Sequence, residues 1–267
     1  MGDYAEINGA RLYYETAGIG EAVVLLHAGI SDSGMWDETF SALAERFRVV
    51  RYDRRGYGRS LMPVGGYAHI DDLAGILDHL GIASTHLIGC SDGGRVTLEF
   101  ALAHPARVRS LVLSGANIRG YEFSDAVTTY AQQNDDAFEA GDIALATELD
   151  MRMWVIGAKR RAEMLDPAFL EKAHAMAEDV YKTPPTLGDE RPLTPPAINR
   201  LWQIKAPALV LVGAYDVPDF INISGMIAFA LDNATKEMIP DAGHMLPMER
   251  PQVFNERALA FLNSLSN

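Results

Sequence analysis

An α/β domain, a mostly parallel sheet covered by helices, is the fold this sequence predicts. Three observations lead there. Continuous apolar runs of strand length recur, as strands buried on both faces require. Stretches of helical period alternate with them across short loops. The alternation fails once, over residues 117–202, and then resumes.

Taken in order, Tyr4 to Glu15 breaks at Asn8-Gly9 into two alternating halves and predicts an antiparallel hairpin, because both turn residues accept positive φ. Ala22-Val23-Val24-Leu25-Leu26 predicts the first fully buried strand. Met35 to Phe47 predicts a helix with Trp36, Phe40, Leu43 and Phe47 on one stripe. Strand Arg48 to Asp53, helix Ile70 to Leu80, strand Thr85 to Gly89 and helix Gly93 to His104, ended near Pro105, follow. Arg109 to Ser114 is the next strand. From Asn117 to Trp202 the pattern is largely helical with no clear strand, punctuated at its far end by Pro184-Pro185 and Pro195-Pro196. Strand Ala206 to Val212, helix Phe220 to Leu231, strand Ala234 to Ile239 and helix Pro251 to Leu265 complete the chain. Residues 1–116 and 203–267 therefore read as one α/β core, and 117–202 as an inserted helical cap, commonly a lid at that length. A (β/α)₈ barrel fits poorly, since the opening hairpin is antiparallel and the insertion breaks the repeat.

The 267 residues carry 23 basic and 36 acidic side chains, a formal charge of −13 that repels a phosphate backbone and argues against nucleic acid. The longest basic run, Lys159-Arg160-Arg161, reads as a solvated helix face. One cysteine, Cys90, excludes an intramolecular disulfide, and no Cys/His cluster has zinc spacing. The first residues lack the basic and apolar regions of a signal peptide, and no apolar run approaches the ~20 residues of a membrane span. A soluble, cytoplasmic protein is expected, without membrane or nucleic-acid partners.

Gly89-Cys90-Ser91-Asp92-Gly93, with Gly94 next, ends a buried strand and opens a helix. That is the context of a G-x-S-x-G nucleophile elbow. So sharp a turn strains the serine backbone and requires small neighbours two residues away, which Gly89 and Gly93 supply. The plainer reading is a glycine-rich strand-to-helix turn. A nucleophilic serine needs a base, and the base a carboxylate to orient it. Asp216 follows the strand ending at Val212, and His244 follows the strand ending at Ile239. Asp219 is the alternate carboxylate, in which case Asp216 caps the next helix; Asp241 more plausibly stabilises its own turn. His79, His86, His104 and His174 fall within helices or strands, and His69 suits a helix cap. A tetrahedral intermediate needs two N–H donors. The backbone of Asp92 is one, and His27-Ala28-Gly29-Ile30 offers the other, at Gly29 or alternatively Ile30, with His27 bracing the loop. The cap should shape the acyl pocket, with Met151, Met153 and Trp154 as candidates, although Met and Trp at helical spacing are more often core.

These residues resemble the α/β-hydrolase superfamily over essentially the whole length. The likeness is carried by His27-Ala28-Gly29, Met35-Trp36, Asp53-Arg54-Arg55-Gly56-Tyr57-Gly58-Arg59-Ser60, Gly89 to Gly94, Gly213 to Asp216 and Gly243-His244. The resemblance implies an eight-stranded, mostly parallel sheet with an N-terminal antiparallel hairpin, a helical cap and the triad Ser91, Asp216 and His244. Asp53 to Ser60 is similar to a structural loop of the family. The family's usual His-Gly pair stands here as His27-Ala28.

Relatives that open epoxides or displace halide use an aspartate at the elbow, and Ser91 cannot form their ester intermediate. Acyl transfer remains, with no metal or cofactor. His27 to Ser60 resembles enol-lactonases and small carboxylesterases, which implies a small-molecule ester or lactone as substrate for a monomer or homodimer. Ser91-Asp92-Gly93-Gly94 is similar to α-amino-acid ester hydrolases, where the aspartate binds the substrate ammonium; the plainer role for Asp92 is to complement a helix N-terminus. The fold and triad are also compatible with C–C hydrolysis, perhydrolysis, lyase chemistry or a slow-turnover receptor. The acidic surface disfavours anionic substrates.

Overall fold

The computed structural model describes residues 2–182 and 188–265; Pro184-Pro185 lie outside the described residues. The strands are β1 (Asp3–Ile7), β2 (Ala10–Ala17), β3 (Ala22–Leu26), β4 (Arg48–Tyr52), β5 (Gly65–Tyr67), β6 (Thr85–Cys90), β7 (Val108–Ser114), β8 (Gly188–Glu190), β9 (Ala208–Gly213) and β10 (Ala234–Ile239). Eight of them form one sheet in the order β1-β2-β4-β3-β6-β7-β9-β10. Only the β1/β2 and β2/β4 pairs are antiparallel. Asn8 and Gly9 both take positive φ at the first turn, as the hairpin reading requires.

The central strands are apolar on both faces because helices cover both. Val24, Leu26, Leu87, Leu111, Leu113 and Val210 point into one core. That side is closed by α2 (His69–His79), α3 (Asp92–Ala103) and, later in the chain, residues of 218–230. Val23, Leu25, Ile88, Val112 and Leu211 point into the other, against α1 (Asp37–Ala44) and the C-terminal helix. Each fully buried Val or Leu contributes roughly 1.5–3 kcal/mol, so neither face tolerates a polar slip of register.

Between β7 and β9 the chain leaves the sheet as α4 (Asp125–Glu139), α5 (Ile143–Asp150), one turn of π-helix (Met151–Ile156) and α6 (Pro167–Lys182). The core resumes with α7 (Pro218–Ala230), α8 (Leu246–Glu249) and α9 (Pro251–Leu265). Three expectations are corrected here. The Met35 to Phe47 helix begins as a 3₁₀ turn at Ser33–Trp36 and ends at Ala44. The stretch 117–202 does contain a strand: β8 pairs in parallel with β5, a three-residue contact too short and too exposed to show alternation. Arg160 is not on a solvated helix face; only Lys159 and Arg161 are exposed. Among the described residues no helix is long and apolar enough to cross a membrane.

Candidate active site

In a parallel sheet the strand C-termini share one edge, and loops from four of them meet there. Ser91 follows β6 and precedes α3 with φ 52° and ψ −118°, a strained backbone for a non-glycine residue. The crowding around it explains its neighbours. A Cβ on Gly89 would lie 2.6 Å from the Gly93 carbonyl oxygen, and one on Gly93 2.2 Å from that of Leu26. Cys90 packs beneath, where burial and then the charge of Asp216 push its thiol up, so it is a packing residue.

His244 stands after β10 with Nδ1 2.9 Å from Asp216 Oδ1, and both side chains are buried. The Val217 N–H donates to the same oxygen at 2.7 Å. Asp219 is directed elsewhere, accepting from the Ser124 N–H and hydroxyl at 2.8 Å each. Of the two candidate carboxylates, Asp216 is therefore the one on the histidine. Two supports carry no signal in the sequence. Gly115, at φ +48°, passes so close that a Cβ would lie 2.9 Å from Asp216 Oδ2 and 3.1 Å from His244 Nδ1. Glu249 accepts the Gly243 N–H at 2.9 Å and pairs with buried Arg160 at 2.5 Å. Arg160 also donates to the Ile156 and Val155 carbonyls, tying the histidine loop to the π-helical turn.

His27 is wholly buried and braces its loop. The Arg54 N–H donates to Nε2 at 2.9 Å, so the ring proton sits on Nδ1 and donates to the Ala28 carbonyl at 2.8 Å. Burial, then the Arg54 charge, holds its pKa down to about 3. Above a pH of about 6.5 the ring is neutral folded or unfolded; below it, only the unfolded chain binds the proton. Stability should therefore fall through His27 alone as acidity increases below a pH of about 6.5, with a slope that approaches about 1.4 kcal/mol per pH unit near pH 5. Urea unfolding of His27→Gln beside wild type measures this; parallel slopes would refute it.

Asp92 opens α3, so its N–H has no acceptor within the helix. The Ala28 N–H is used on Met35 Sδ at 3.2 Å, whereas those of Gly29 and Ile30 meet no protein acceptor among the described residues. Two guanidinium groups neutralise the Asp92 carboxylate, Arg54 at 2.5 Å and Arg95 at 2.5 Å, which leaves little negative charge for a substrate ammonium. Burial raises this carboxyl, but Arg95 and Arg54 outweigh it and leave it well below the usual range. Its side chain faces a cavity of about 440 Å³ with His69, Arg95 and Glu190, which adjoins the Ser91 cavity at Asn117 and Phe123. His69 caps nothing: it is the first residue of α2, buried, with Nδ1 unpartnered.

Ser91, His244, Gly29 and Ile30 line one cavity of about 370 Å³, roofed by Val127, Tyr130, Trp154 and Tyr181 from the inserted helices. The Trp154 and Phe220 rings lie 5.1 and 4.5 Å from the His244 ring, so Trp154 belongs to the cavity wall and not to the cap core. Met151 stays in the core as expected.

A serine and a carboxylate-paired histidine on one apolar cavity, at the C-terminal edge of this sheet, define a class. Residues 21–251 match the family model for the alpha/beta hydrolase fold, and the chain belongs to that family as a hydrolase. It is 32% identical to RutD of Caulobacter sp. (strain K31), named for carbamate hydrolysis, over 94% of this chain and 96% of the relative. It is 29% identical to a 2-hydroxy-6-oxononadienedioate/2-hydroxy-6-oxononatrienedioate hydrolase of Burkholderia vietnamiensis, over 94% and 91%. The enol-lactonase of Burkholderia xenovorans LB400 superposes with a TM-score of 0.80 at 27% identity, covering 98% of this chain and 100% of the enzyme.

Proposed function

We propose that this protein hydrolyses a small carboxylic ester or lactone through an acyl-enzyme on Ser91. The observation that carries the reading is the strained Ser91 facing the same cavity as a His244 whose Nδ1 is held by Asp216. Asp216 fixes the tautomer with the proton on Nδ1, leaving Nε2 free to take the Ser91 proton as Oγ attacks the carbonyl. The oxygen that becomes negative is met by the N–H groups of Asp92 and Gly29, with Ile30 beside them. His244 returns the proton to the departing alkoxide, and a water activated by the same ring releases the acid. The inserted helices act as the lid, supplying the roof that excludes bulk water.

Among the described residues that line the cavity none is a lysine or arginine, which disfavours the dioate of the Burkholderia vietnamiensis relative. A carbamate is the second reading, supported by the likeness to RutD, and uses the same acyl chemistry. A fluorophosphonate should label the wild-type protein and fail on Ser91→Ala. p-Nitrophenyl esters of graded acyl length should turn over in wild type alone. Labelling that survives the substitution overturns the nucleophile; labelling without turnover of any ester, lactone or carbamate favours a receptor.

A further inference from the structure

The roof of the cavity carries one polar cluster that the proposed chemistry does not use. Asp150, the buried last residue of α5, receives the Tyr130 hydroxyl on Oδ1 and the Tyr181 hydroxyl on Oδ2, the latter at 2.5 Å. Trp154 Nε1–H donates to the Tyr130 oxygen at 2.7 Å. Asn134 Nδ2 donates to the Tyr181 oxygen at 2.8 Å and to the Ala146 carbonyl at 3.0 Å. Every side-chain proton in the cluster is therefore committed inward. Lone pairs are what remain, chiefly on Asp150, since a carboxylate has about four acceptor sites and only one tyrosine hydroxyl meets each of its oxygens, whereas the Tyr130 and Tyr181 oxygens already accept from Trp154 and Asn134.

We propose that Asp150, Tyr130 and Tyr181 form an acceptor subsite for an N–H or O–H group of the substrate, and that this subsite rejects carboxylates. The inference rests on the hydrolase reading of the same cavity and adds the class of acyl compound it takes. Asp150, Tyr130 and Tyr181 line the cavity among apolar neighbours, Val127, Ala131 and Val180. In such surroundings an unmet acceptor is costly and a like charge more so. Trp154 fixes the location: its ring lies 5.1 Å from that of His244 while its N–H holds Tyr130. The subsite is thus one indole ring from the reacting centre, within reach of a group a few atoms from the scissile carbonyl. Burial, then the Asp150 charge, raises both tyrosines, so their protons stay on the hydroxyls. Burial also raises Asp150, opposed by the hydrogen bonds from Tyr130, Tyr181 and Trp154.

Four p-nitrophenyl esters of equal chain length, ending in methyl, carboxamide, ammonium or carboxylate, test this. In wild type, kcat/KM for the carboxamide and ammonium esters should exceed that for the methyl ester by about tenfold, with the carboxylate lowest. Asp150→Asn frees tyrosine protons to turn toward the cavity, so the carboxamide-to-carboxylate ratio should shrink by about tenfold or more. Tyr181→Phe, which removes one oxygen, should shrink it less. Ratios measured within one preparation do not depend on the fraction of folded enzyme. A flat or carboxylate-favouring wild-type series overturns the subsite, as do ratios unchanged in both variants. Calorimetric titration of Ser91→Ala with hexanamide and hexanoate reads the subsite without turnover; equal or tighter carboxylate binding overturns it. Absence of Ser91-dependent turnover of all four esters is the separate failure of the hydrolase reading.

Discussion

Replacing Asp216 with asparagine is expected to lower kcat by about four orders of magnitude, and Ser91→Ala by about six. The amide oxygen would stay where Oδ1 accepts both the His244 Nδ1–H, at 2.9 Å, and the Val217 N–H, at 2.7 Å, but a neutral amide does not stabilise the imidazolium that forms as the serine proton is taken. The ring is then a much weaker base toward Ser91. Asp219→Asn is the control, since its carboxylate serves the Ser124 N–H and hydroxyl and does not reach the histidine. Stopped assays with p-nitrophenyl butyrate, corrected for folded protein, decide the matter. An Asp219→Asn loss as large as that of Asp216→Asn would remove Asp216 from its assigned role.

Glu249→Leu should destabilise the fold by about 3–5 kcal/mol, because it leaves Arg160 charged, buried and without its anion. The pair is almost fully enclosed, with side-chain exposures of 3% for Arg160 and 5% for Glu249. It also removes the acceptor of the Gly243 N–H, immediately before His244. Activity should therefore fall even at temperatures where the variant is folded. The double variant Arg160→Met/Glu249→Leu removes both charges and should recover most of the stability but not the activity. Urea midpoints for the two variants measure this directly. If the single variant unfolds no earlier than the double, the buried charge is compensated by some other group.

Much of the fold was legible because its determinants are local. A strand covered on both faces must be apolar throughout, so Ala22 to Leu26 and Thr85 to Cys90 are short and bounded where burial ends. The sharp strand-to-helix turn at Ser91 was legible for a steric reason, since Gly89 and Gly93 are positions where no Cβ fits. Asp216 and Asp219 both follow the strand that ends at Gly213, and the structure puts only Asp216 beside His244. The helical periodicity of Ile70 to Leu80 likewise matches α2 within a residue at each end.

The sequence by itself determined the sheet, the order of its elements and which residues arrive at its C-terminal edge, because each follows from the period and punctuation of neighbouring residues. Only the tertiary structure decided what those residues meet. The Asp92 carboxylate turns out to belong to Arg54 and Arg95. Arg160, one of three consecutive basic residues, is the one that is buried, and its anion lies 89 positions away. Tyr130, Asp150 and Tyr181 come from three separate helices and converge on one cavity wall. Side-chain partners of this kind are fixed by how helices pack on one another, and that packing leaves no periodic trace in the segment that carries any one of them.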